Sequence, residues 1–140
     1  MPADIRTVTE DLAVAPQIAL EDLAALKAAG FAAIVNNRPD GESPDQPSSA
    51  QIEAEASRLG LAYRHVPVVS GAMTMDDVAA FGAALEELPK PVLAYCRSGT
   101  RSCTVWALSQ KGEAPADEIM SRAASAGYDL SGIRPYLERD

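Results

Sequence analysis

Apolar and polar positions along the chain follow two rhythms. FAAIVN at 31–36 and VLAYC at 92–96 are unbroken apolar runs with the length and content of strands buried on both faces. LAYRHVPVV at 61–69 predicts a third strand, ending near Pro67. Thr7 to Ala15, interrupted by Glu10 and Asp11, predicts a small leading hairpin. Between these runs the apolar positions fall three or four apart. Leu20, Leu23 and Leu26 predict a helix stopped by Gly30, and Val78, Phe81, Leu85 and Leu88 predict another, ended by Pro89 and Pro91. Ser48 with Gln51, and Thr74 with Asp77, have the spacing of capping boxes, the first opening a helix that Gly60 closes. SCTVWALSQKG at 102–112 suits a buried helix, Pro115 a helix start running to Gly127, and Leu130 to Leu137 a last short helix. Strands alternating with helices predict a three-layer α/β fold: a central, mostly parallel sheet of four to five strands with helices on both faces. Residues 1–140 fit one domain.

Composition narrows the function. With 47% hydrophobic and 23% charged residues, and no apolar run near the roughly 20 residues that span a bilayer, the sequence predicts a soluble chain with no membrane role. The acidic N-terminus lacks the pattern of a secretory signal, so cytoplasmic residence is expected. A net charge of −8 disfavours nucleic-acid partners. Cys96 and Cys103 make no disulfide framework, at most a redox pair, and with the single histidine, His65, they offer no zinc site. No metal or organic cofactor is expected.

Against that acidic background, AYCRSGTRSCTVWALSQKG at 94–112 places Arg97 and Arg101 four residues apart beside Cys96. A cysteine at the end of a buried strand, followed by a glycine-containing turn into a helix, sits where turn amides and the helix dipole gather an anion. The same field favours thiolate over thiol, which makes Cys96 a candidate nucleophile. Gly99 lets the backbone approach a ligand closely, Ser98, Thr100 and Ser102 offer hydroxyl donors, and Arg101 can hold two oxygens at once. The competing reading makes Cys96 a small buried hydrophobe and the arginines solvated surface. The coincidence of strand, cysteine, glycine, two arginines and three hydroxyls within a few residues favours the site.

YCRSGTRS resembles the active-site loop of single-domain rhodaneses, sulfurtransferases that carry a persulfide on cysteine. It also resembles the cysteine loop of protein tyrosine and dual-specificity phosphatases. Those phosphatases place five residues between cysteine and arginine, whereas four separate Cys96 from Arg101. That length favours sulfur transfer, since a smaller ring of amides suits a terminal sulfur better than a tetrahedral phosphate. IVNNRPDGESPDQPSS, YRHVPV and MTMDDVAAF together resemble the phosphatase-like domain of bacterial beta-lactamase-hydrolase-like proteins. This resemblance covers nearly the whole chain. It implies a tyrosine-phosphatase-like fold with a rhodanese-length loop, and a sulfur dioxygenase as a functional partner.

The NNRPDGE loop follows a strand at the sheet end shared with Cys96, where α/β folds gather ligand-contacting loops. Arg38 is expected to line the pocket, and Asp40 is the first candidate acid in a phosphatase, or else part of a Pro-Asp-Gly turn. Asp76 and Asp77 are further acids, though capping a helix explains them. His65, Tyr95, Trp106 and Cys103 read as packing residues, with a resolving role the lesser reading for Cys103. The expected function is sulfur transfer through a Cys96 persulfide, from a small anionic donor such as thiosulfate to a thiol or cyanide acceptor. A phosphatase acting through phosphocysteine, and a non-catalytic anion-binding module, are the alternatives.

Overall fold

A computed structural model of the protein describes residues 3–139. Five strands form one sheet in the order β1-β2-β5-β3-β4: β1 (Arg6–Thr7), β2 (Leu12–Ala15), β3 (Ala33–Asn36), β4 (Ala62–His65) and β5 (Val92–Tyr95). Among the described residues only the β1–β2 pair is antiparallel, so the leading hairpin and the mostly parallel sheet both stand. Every residue of β2, β3 and β5 is buried, as expected of parallel strands covered on both faces. β4 lies at the edge and is half-buried throughout.

Helices cover the two faces unequally. α1 (Asp22–Ala28) and α2 (Ser49–Leu59) pack Leu23, Leu26, Ile52 and Ala56 against Ala13, Ile34, Leu93 and Tyr95. On the other face α3 (Met75–Glu87), α4 (Thr100–Ser109), α5 (Ala116–Ser125) and α6 (Arg134–Glu138) bury Phe81, Val105, Trp106, Ile119 and Leu137 against Val14, Val35 and Ala94. Both predicted capping boxes form, at Ser48 and Gln51 and at Thr74 and Asp77, each fixing a helix start that leads away from the sheet edge. α4 begins at Thr100, two residues earlier than its apolar pattern predicts, so Thr100 and Arg101 belong to its first turn. The last helix is shorter than expected, being split into a 3-10 turn (Ser131–Ile133) and α6.

The strand order decides where chemistry can occur. β5 lies between β2 and β3 in parallel register, with Tyr95 level with both Ala15 and Asn36. The loops leaving the carboxyl ends of three adjacent strands therefore meet, the arrangement in which open α/β sheets bind ligands.

Candidate active site

Cys96 is the first residue past β5, and its loop is fastened by the main chain. The Cys96 N–H donates to Ala15 O at 3.4 Å, and the Gln17 N–H donates to Arg97 O at 3.2 Å, tying the loop to the end of β2. Gly99 takes φ +91°, and its N–H donates to Cys96 Sγ at 3.0 Å. That single bond shows the local purpose of the glycine. The left-handed turn aims an amide back at the sulfur. A Cβ at residue 99 would overlap the Tyr128 hydroxyl, which itself donates to Ser98 O at 3.1 Å. Tyr128, thirty positions downstream, thus holds the loop from outside.

The Arg101 guanidinium lies near Cys96 and interacts with it electrostatically. Its other contacts reach across the sheet edge: Nη1 donates to Glu42 Oε2 at 2.8 Å and to Val68 O at 2.9 Å, and Nη2 donates to Glu42 Oε1 at 2.9 Å. Arg38, only 4% exposed, donates from Nε to the same Oε1 at 2.9 Å and from Nη1 to Gln17 Oε1 at 3.0 Å. Two guanidinium groups thus converge on one carboxylate. Bonds from Arg101 and then Arg38 hold Glu42 below the ordinary carboxylate range despite partial burial, and Glu42 in turn raises Arg101.

The remaining sequence candidates divide by partner. Arg97, Ser98 and Thr100 are exposed on the loop, and the Ser98 hydroxyl donates to Thr100 Oγ1 at 3.1 Å. Ser102 is buried and donates to Asn37 Oδ1 at 2.8 Å; Asn37 Nδ2 donates to Val66 O, so the pair ties α4 to the loop past β3. Asp40, the expected acid, is exposed and accepts the Ser49 N–H at 2.7 Å, which satisfies an orphan donor in the first turn of α2. Asp77 is engaged in its capping box, and Asp76 lies in the same first turn of α3. His65 Nε2 lies 3.0 Å from Arg38 O and braces the backbone of that arginine. Cys103 is fully buried, and burial pushes its thiol up to about 12, a poor state for a resolving nucleophile.

Cys96 itself has no solvent exposure. Burial is what the inert-hydrophobe reading expects, but the amide bonded to its sulfur is not. The loop is a polar site that is closed.

Residues 4–113 match the family described as beta-lactamase hydrolase-like protein, phosphatase-like domain. The chain belongs to that family. Two curated relatives named beta-lactamase hydrolase-like protein, from Xylella fastidiosa and Agrobacterium fabrum, are 37% and 35% identical over 134 residues, 94% of this chain. The chain spans about a third (31%) of the length of each. A crystal structure of a candidate phosphatase from Neisseria meningitidis is 35% identical, covers 96% of both chains and superposes with a TM-score of 0.84. The catalytic core of the Saccharomyces cerevisiae PP-IP phosphatase Siw14, 14% identical, superposes at 0.65 over 98% of this chain and 85% of its own, and so shares the fold. The phosphatase-like domain therefore has the tyrosine-phosphatase-like α/β architecture. Among its described residues no helix is long and apolar enough to cross a membrane, and no three of His, Cys, Asp and Glu are placed to hold a metal ion.

Sequence reasoning missed Glu42, Gln17, Asn37 and Tyr128. Glu42 carries a faint signal, its i,i+4 spacing from Arg38. Asn37 is a polar residue directly after an apolar strand. Gln17 and Tyr128 carry none, because their roles arise only when distant segments meet.

Proposed function

We propose that this domain is a cysteine-dependent phosphatase in which Cys96 is the nucleophile and Arg101, with Arg38, receives the phosphoryl oxygens. The observation that carries this reading is the Gly99 amide bonded to the Cys96 sulfur, five residues from an arginine that already grips a carboxylate with two bonds. Family membership and the likeness to phosphatase structures favour it over sulfur transfer. In the first step the Cys96 thiolate attacks phosphorus, the bond to the leaving oxygen breaks, and phosphocysteine forms. In the second, water attacks phosphorus, the S–P bond breaks with its electron pair returning to Cys96, and inorganic phosphate leaves. Arg101 and the loop amides stabilise charge on the non-bridging oxygens in both steps.

One step lacks an obvious donor. Of the carboxylates expected to protonate a leaving oxygen, Asp40 and Asp77 are engaged at helix starts and Asp76 lies exposed in the first turn of α3, so none of them is bonded to the Cys96 loop among the described residues. Substrates with acidic leaving groups, such as aryl phosphates, suit such a site because their leaving oxygen departs without a proton.

Sulfur transfer stays as the second reading because of two specific observations. The loop has four residues between cysteine and arginine, and sulfur transfer needs no general acid. In that reaction the thiolate attacks the outer sulfur of thiosulfate, sulfite leaves with the S–S electron pair, and an acceptor thiolate takes the sulfur from the persulfide. Parallel assays with p-nitrophenyl phosphate and with thiosulfate plus cyanide, on wild type and Cys96→Ser, test the proposal. Phosphate release that requires Cys96 supports the first reading. Thiocyanate formation with no phosphate release replaces it with the second, and anion binding without either turnover leaves a binding module.

A further inference from the structure

The two arginines that would bind substrate already hold an anion. Arg101 grips Glu42 with a two-pronged fork, and Arg38 shares one of the same carboxylate oxygens, which is the planar bidentate geometry in which arginine recognises phosphate. Glu42 belongs to the polar loop between β3 and α2, its side chain is 24% exposed, and these contacts are made by its side chain. Cys96 has no access to solvent in this closed state.

We propose that Glu42 is a resident carboxylate in the substrate's anion site, and that the need to displace it restricts the site to dianions, such as phosphate monoesters, over monoanions. The proposal rests on the Cys96 loop being an anion-transfer site and names the substrate class that this site accepts. The physical argument concerns competition. A tethered carboxylate acts at an effective concentration of roughly millimolar or more, and it weakens every anion that must replace it by the same factor. Ligands with high intrinsic affinity survive that factor. A dianion bonded to both guanidinium groups does so, whereas a monoanion offers the arginines little more than Glu42 already supplies.

Binding of sulfate, doubly charged throughout the range used, and of nitrate, singly charged, is measured by calorimetry on wild type, Glu42→Gln and Asp45→Asn. Asp45, an exposed residue of the same loop, feels Arg38 and Arg97 but pairs with the Ser43 hydroxyl, so its variant controls for the loss of one negative charge. Glu42→Gln is expected to tighten sulfate at least fivefold and to bring nitrate into the measurable range, with Asp45→Asn under twofold. Equal effects of the two variants, or weaker sulfate binding by Glu42→Gln, overturn the proposal; the second result would make Glu42 a positioning residue for Arg101. A measurement on the wild type covers a variant that fails to fold. The carboxyl carbon of Glu42, which faces Arg38 and Arg101, is titrated by NMR with and without saturating sulfate. A midpoint that rises towards the ordinary carboxylate range with sulfate supports displacement, and an unmoved midpoint contradicts it. These affinities do not depend on turnover, so failure of the phosphatase reading would show separately, as a missing adduct on Cys96.

Discussion

Two loops leave neighbouring strands at the same sheet edge, and they are held by opposite means. The loop past β5 is fixed by its backbone: Arg97 O, Ser98 O and the amides of Cys96 and Gly99 all have partners. The loop past β3 reaches the site through side chains, with Arg38 and Glu42 contributing charge and Asp40 bonding to the start of α2. Main-chain bonds cannot be exchanged for a ligand without unravelling the turn, whereas an ion pair can. One loop is therefore a fixed cradle, and on the proposal above the other supplies an exchangeable occupant.

The contrast can be tested by breaking each side. The largest effect is expected of Cys96→Ser, which keeps the cradle but removes the sulfur nucleophile; turnover should fall by about 10³-fold or more in a steady-state assay. Unchanged turnover would take Cys96 out of the chemistry. Gly99→Ala attacks the cradle itself. It combines a positive φ with overlap on Tyr128, and should cost about 2–4 kcal/mol in denaturant unfolding, with activity falling alongside.

On the other loop, Glu42→Gln should lower stability by only about 1–2 kcal/mol at neutral pH, because three charge-assisted bonds are lost but the site is partly screened by solvent. The sign with pH follows from a folded-state pKa below the unfolded one. The carboxylate contributes above the unfolded value of about 4.3, and that contribution is lost as pH falls through the lower folded value. Unfolding curves of wild type and variant should therefore differ at pH 7 and converge in acid. Tyr128→Phe, which removes one hydrogen bond from the cradle, should cost about 1 kcal/mol by the same measurement. The smallest effect is expected of Asp40→Ala, about 0.5–1 kcal/mol through the lost bond to Ser49, with kcat/KM within about twofold. A hundredfold loss there would restore Asp40 as the proton donor.

The same contrast explains what could be read from the residues alone. The strands, both capping boxes and the Cys96 loop are local signals: apolar runs, spacings of three, and a cluster of chemistry within eight positions. The fold class follows from them. The clasp is not local in that sense, since Arg101 and Glu42 are 59 positions apart and meet only because β5 is inserted beside β3. Asp40 had the residue type and position of an acid, but a helix start close by took its carboxylate. Tyr128 shows the same limit, for nothing around it announces that its hydroxyl will reach Ser98.

The most direct test of the central claim is a rapid acid quench of the domain during turnover of p-nitrophenyl phosphate, followed by mass spectrometry of the peptide carrying Cys96. The account predicts added mass equal to one phosphoryl group on that cysteine, absent in Cys96→Ser. An unmodified peptide that instead gains one sulfur atom from thiosulfate would contradict it.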